Sequence, residues 1–157
     1  MFILKNILYA IFITITVSAL SFLSSPKTEK DNIAVQDTIV RYNDGVYEGQ
    51  SQHIYRDEPY WGKVQIRIEK GQFTVIRFTI RDTSLHETFN QLYEKHFEKI
   101  PEYVEQCRND WNGVQSYPAK LLEKQNINKV DATSGATWSY NIFKASADSA
   151  LKKAVIK

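Results

Sequence analysis

The chain is short of the residues that cross-link, ligate or react. It holds one cysteine, Cys107, among 157 residues. A single thiol excludes an internal disulfide framework and any CxxC metal or redox pair. Tyr103, Val104 and Trp111 flank it at helical spacing, so it reads as a buried, unreactive thiol. The three histidines, His53, His86 and His96, have no ligand spacing that would suit a metal. No Ser-His-Asp or Cys-His pattern is evident, so no catalytic residue is assigned. The net charge is only +2, without a Lys/Arg run, which leaves no electrostatic footprint for nucleic acid. No internal repeat or low-complexity stretch interrupts the chain. What is present is ordinary for a globular protein, with 43% hydrophobic and 24% charged residues. That is enough for one domain with a real core, plus an appendage.

The appendage is N-terminal. Lys5 precedes an uncharged, largely apolar run, Ile7 to Leu23. Its length sits at the short limit for a bilayer span and the long limit for a signal peptide's apolar region. Val17-Ser18-Ala19 offers small residues for cleavage, while the absence of a following cysteine disfavours a lipoprotein anchor. Lys5 on one side faces Lys27 and Lys30 on the other, so charge leaves the orientation open. The organisation expected is an anchor or signal over 1–24, a polar tether over 25–38 and a folded domain over 39–157.

Within the domain, Asp44-Gly45-Val46-Tyr47-Glu48-Gly49 reads as a turn entering a short strand. The stretch from Ser51 to Tyr60 is polar and irregular. Val64, Ile66 and Ile68 then alternate with polar residues, Lys70-Gly71-Gln72 turns the chain, and a second strand runs from Phe73 to Ile80. That second strand is apolar on both faces, which suggests a central position. Asp82-Thr83-Ser84 is placed to cap a helix whose apolar positions would be Leu85, Phe89, Leu92, Tyr93, Phe97 and Ile100. Pro101 suits the first position of another helix, with Asn112-Gly113 as its stop and Pro118 opening a short further turn. A closing helix buries Ile142, Phe143, Ala147, Ala150, Leu151 and Ala154, with its lysines mainly opposite. The fold class expected is α+β: a small antiparallel sheet with helices packed mainly on one face, after the membrane or signal segment.

Chemistry concentrates just before that last helix, in Asp131-Ala132-Thr133-Ser134-Gly135-Ala136-Thr137-Trp138. Small and hydroxylated residues lie between an acid and an indole, and the helix follows at once. Such a loop delivers a hydroxyl to a helix N-terminus, where unpaired N–H groups and the positive end of the dipole favour a phosphate. Gly135 permits positive φ, and Ala136 adds little bulk beneath a large ligand. The same residue types are also ordinary helix caps.

Asp131 to Thr137 resembles the D-x-x-S/T-G-A-T/S motif of the FMN-binding domain. That domain occurs in the covalent-flavin subunits of sodium-pumping NADH:quinone oxidoreductases and their Rnf-type relatives. The D-G-x-Y-x-G pattern at Asp44–Gly49 is similar to the opening of many such domains. His86-Glu87-Thr88 partly matches an H-x-E-T-P stretch of the larger subunits, with Phe89 in place of the proline. The resemblance implies FMN esterified through its phosphate to Thr137 by a separate flavin transferase. Asp131, Thr133, Ser134, Gly135, Ala136 and Trp138 would complete the cofactor site. It also implies a domain facing the periplasm or outer side of the cytoplasmic membrane, exchanging electrons with redox partner proteins there. Trp138 would then either cover the flavin ring or staple its helix to the sheet. Two other functions stay open: a non-redox envelope binding module in which the loop is only a cap, and a small flavin-dependent reductase.

Overall fold

The protein's structure, a computed structural model, describes residues 40–51 and 58–156. The apolar run, the tether and His53 lie outside the described residues. Among those described, no helix is long and apolar enough to cross a membrane.

Two long strands, here β2 (Tyr60–Glu69) and β3 (Gln72–Asp82), form the centre of a four-stranded antiparallel sheet. They are flanked by β1 (Gly45–Gln50) and by the two-residue β4 (Glu87–Thr88), in the order β1-β2-β3-β4. Lys70 and Gly71 join β2 to β3 with φ of 53° and 73°. Two consecutive positive φ values define the hairpin turn whose twist matches its strands. Asp44 clamps that turn from the start of β1, its carboxylate accepting from the N–H of Lys70 (2.8 Å) and Gly71 (2.9 Å). These backbone donors hold the Asp44 carboxyl below its usual range.

β3 is interior to the sheet, as expected, but only one face is covered. The register shifts so that Ile68 pairs with Phe73 while Arg67 pairs with Val75. The extra residue, Thr74, reverses the alternation. Phe73, Ile76, Phe78 and Ile80 thereby share the core face, and Arg77 reaches solvent without needing a buried counter-charge. The apparent second apolar face was an effect of that bulge.

Both α-helices pack on the single covered face. The first, α1 (Pro101–Lys124), lies against β3, and α2 (Thr137–Ala154) lies across β1 and β2. The six apolar positions expected to be buried in α2 are all buried. Gly49 and Gly62 make this packing possible. A Cβ on Gly49 would run into the backbone of Ser146 and Ala150, and one on Gly62 into Ser146 and Ile142. Tyr42 pairs with Val155, closing the start of the domain onto its end.

Two local expectations fail. Leu85 to Ile100 is no single helix: a turn, β4 and a 3-10 helix (Gln91–Phe97) take its place. Asp82 does cap, but what it caps is a turn. Its Oδ1 accepts from the N–H of Ser84 (2.7 Å) and Leu85 (3.0 Å), and His86 then adopts φ 56°, which an α-helix cannot absorb. The helical stripe was coincidental, since Leu85, Leu92 and Ile100 are 48%, 74% and 43% exposed. Nor does Asn112-Gly113 stop α1, which continues through Gly113 and Pro118. Its buried stripe is Cys107, Asp110, Val114, Tyr117 and Leu121, while Tyr103 is exposed.

Gly113 serves interhelical approach. A Cβ there would lie 2.7 Å from Ser139 Oγ and 2.9 Å from Ala136 Cβ. Alanine normally improves a helix by about 1 kcal/mol over glycine. Here the neighbours are buried and cannot retreat, and overpacking costs about 1–3 kcal/mol. Gly113→Ala is therefore expected to destabilise by about 1–2 kcal/mol in urea unfolding. A stabilised variant would contradict this close approach.

Candidate functional site

The motif loop is held from beneath by α1. Tyr117 is fully buried, and its hydroxyl donates to the Ala136 carbonyl (2.7 Å) while accepting from the Thr133 N–H (3.3 Å). Lys120, lying over the Tyr117 ring, donates to Thr133 Oγ1 (2.9 Å). Gln106 donates to the Gly135 carbonyl (2.8 Å). Gly135 has φ 74°, and a Cβ there would meet the Asn109 side chain at 2.9 Å. The expected need for glycine is thus both conformational and steric.

None of the loop's polar side chains caps α2. Its N-cap position is Ala136, which has no capping group. The acceptor comes from the other helix. Asp110 is 3% exposed, and its Oδ1 accepts from the N–H (3.0 Å) and hydroxyl (2.8 Å) of Ser139. Gln106 donates to Asp110 Oδ2 (2.6 Å). A carboxylate at the positive end of the α2 dipole is well placed electrostatically. Asp131, Ser134 and Thr137 are consequently exposed and released from capping. Thr133 is tied down by Lys120, Ala136 is fully buried, and Thr137 is the first residue of α2.

Beside the first turn of α2 lies a cavity of about 250 Å³. Tyr60, Phe89, Phe97, Tyr103 and Trp138 make most of its wall. Trp138 staples its helix to the sheet side of the domain and also lines the cavity. Its ring packs on Tyr60 (4.9 Å between centroids) and Phe89 (5.3 Å) while lining the cavity. Its indole N–H donates to Glu58 (2.7 Å). Glu58, Gln106, Cys107 and Asp110 supply the remaining wall. Burial, then the nearby Glu94 and Asp110 charges, push the Cys107 thiol up to about 11, which leaves it unreactive at neutral pH. Glu87 is engaged elsewhere, 3.0 Å from both Lys95 and His96, and neither it nor His86 lines the cavity. Among the described residues no group of metal-ligating side chains forms a site.

A hydrogen-bonded chain that sequence reasoning missed runs back from the wall residue Tyr60. Tyr93 donates a short hydrogen bond to buried Asp82, and the Tyr60 and Tyr93 hydroxyls lie 3.1 Å apart. Burial acts to raise the Asp82 pKa, but hydrogen bonds from Tyr93, Leu85 and Ser84 outweigh it and hold the carboxyl low. Asp110, Tyr117 and Gln106 were missed as well. A polar residue on a helix carries no signal in hydrophobic periodicity, and only the partner helix and its loop reveal its purpose.

This α+β domain presents an exposed threonine hydroxyl at a helix N-terminus, and the next residue, Trp138, lines an aromatic cavity. The FMN-binding domain family matches residues 59–152, more than half of the chain, and the protein belongs to that family. A crystal structure of a Clostridium perfringens protein is similar with a TM-score of 0.52 and 24% identity, over 72% of this chain and 88% of that one. A solution structure of a Clostridium thermocellum protein reaches 0.42 and 18% identity, over 71% and 91%. Among curated proteins no match was found.

FMN fits what is here. The cavity is smaller than the roughly 300–1,000 Å³ of typical ligand pockets, so it suits a flat ring rather than a whole nucleotide.

Asp82 ties the cavity wall to acid stability. Its folded pKa is depressed, so its contribution is present above the unfolded pKa of about 4 and is lost as pH falls through the folded value. Asp82→Asn should cost about 1–3 kcal/mol near neutrality. Between about pH 6 and about pH 3 the variant should lose less stability than the wild type, as urea midpoints would read. Parallel losses would remove Asp82 from the acid response.

Proposed function

We propose that the domain is an extracytoplasmic electron carrier whose FMN is joined by a phosphoester to Thr137. The observation that carries this reading is the freedom of the motif side chains. Asp110 caps α2 from across the interface, so Asp131, Ser134 and Thr137 have no structural duty to explain them. Thr137 is exposed at the first position of the helix, one residue before Trp138, which lines the aromatic cavity.

When bound, FMN supplies one- and two-electron redox chemistry. The chain's residues do the rest. Thr137 Oγ would attack the phosphorus of a flavin phosphate that the transferase supplies joined to a leaving group. The bond from phosphorus to that group breaks as the Oγ–P bond forms, and the threonine proton passes to solvent or to a base of the transferase. The first-turn N–H groups of Thr137 and Trp138 have no intrahelical acceptor and would be available to hold the phosphate. Tyr60, Phe89 and Trp138 line the cavity and would present aromatic surface to the ring and shield it from water. Asp131 is exposed and stands six residues before Thr137, a position suited to recognition by the transferase rather than to holding the same phosphate.

A covalent link makes physical sense outside the cytoplasm, where a lost cofactor cannot be recaptured. The apolar run Ile7–Leu23 followed by a polar tether supports a membrane-attached domain. Attachment would raise its effective concentration beside redox partners in the membrane.

In a host with a competent flavin transferase, Thr137→Ala should abolish covalent flavin and leave the fold intact. Intact-mass measurement checks it, and retention of the FMN-minus-water increment in the variant would refute the assignment. Asp131→Ala should yield a folded chain with little covalent flavin. Normal loading of that variant would remove Asp131 from recognition.

A further inference from the structure

The polar wall of the cavity has spent its donors inside the protein. The Trp138 N–H is given to Glu58. Both side-chain amide protons of Gln106 have acceptors, at Asp110 and at the Gly135 carbonyl. The sense of the tyrosine chain is set by its far end. Asp82 is an acceptor only, so the single Tyr93 proton goes to it. Tyr93 can then only accept from Tyr60 across 3.1 Å. With its one proton directed away, Tyr60 retains acceptor capacity alone. Each hydrogen bond in such a chain polarises the next, and the carboxylate at its end strengthens the outermost oxygen as an acceptor. Tyr103, 55% exposed at the cavity's edge, and the Cys107 thiol are the donors that remain.

We infer that Tyr60 is the cavity's specificity residue, its hydroxyl oxygen accepting a hydrogen bond from a ring N–H of the bound heteroaromatic. This rests on the reading of the cavity as the flavin ring site. An oxidised flavin ring has a single N–H, at N3, so the pyrimidine edge is the one that meets Tyr60. The ring carbonyls beside it are left to Tyr103 and solvent at the open edge. Neither tyrosine acts as a base here: burial and the neighbouring Asp82 charge raise both hydroxyls above their ordinary pKa.

The test uses the full chain carrying Thr137→Ala, so that no tethered flavin fills the cavity. Lumiflavin and 3-methyllumiflavin, in which a methyl group replaces the N3 proton, are titrated against it and their fluorescence quenching is followed. Lumiflavin should bind roughly tenfold tighter or more, the scale of a hydrogen bond lost in a buried site. Adding Tyr60→Phe should weaken lumiflavin and bring the two analogues together. Tyr93→Phe supplies a second reading, because Tyr60 can then turn its proton into the cavity and the preference should shrink. Equal binding of the analogues to the Thr137→Ala chain would overturn the inference while leaving the flavin reading intact. So would an unchanged preference in the Tyr60→Phe chain. Binding of neither analogue would remove the ring site itself, and the inference with it.

Discussion

The buried carboxylate of Asp110 is the contact on which the site depends. It sits on one helix and satisfies the N-terminus of the other, through the N–H and hydroxyl of Ser139. A buried acid is costly unless its lone pairs are filled, and here Ser139 and Gln106 fill them. Orphaning such a donor or acceptor costs about 1–3 kcal/mol, a large part of a small domain's stability. That penalty fixes how far α1 and α2 can slide along each other. The same interface needs Gly113, since any side chain would meet Ser139 and Ala136.

Everything the motif loop presents follows from that alignment. Tyr117 and Gln106 reach up from α1 to hold the carbonyls of Ala136 and Gly135, one on each side of the peptide that leads into α2. The loop backbone is thus anchored while its Asp131, Ser134 and Thr137 side chains stay in solvent. An enzyme that modifies Thr137 would need both features, a rigid backbone to recognise and an unburied hydroxyl to reach.

The cavity wall is organised by a different principle. Aromatic faces supply contact area, and the polar groups among them bond to one another before any ligand arrives. Trp138 is locked by Glu58, and Tyr60 is tied through Tyr93 to Asp82. A ring entering this cavity meets groups already oriented, so little ordering cost remains to oppose its binding.

Alternation and turn chemistry were enough to place β1, the β2–β3 hairpin and the α2 stripe, because each depends on local backbone geometry and on one buried face. The loop from Asp131 into a helix at Thr137 was also readable, since Gly135 announces a positive φ directly. Elsewhere the local signals misled. Gly113 and Pro118 look like breaks in a helix, yet α1 runs through both, because Gly113 answers to Ser139 and Ala136 rather than to its own turn. Leu85, Phe89, Leu92 and Tyr93 look helical, yet Asp82 folds its successors into a turn and only Phe89 and Tyr93 are buried. Asp110, Tyr93 and Tyr60 gave no warning, for their partners lie 29, 11 and 33 residues away. Sequence alone determined where the central hairpin and the closing helix form, and that Thr137 opens that helix. Tertiary structure decided which polar groups are satisfied and which stay free, because a hydrogen bond between distant residues exists only once packing has brought donor and acceptor together.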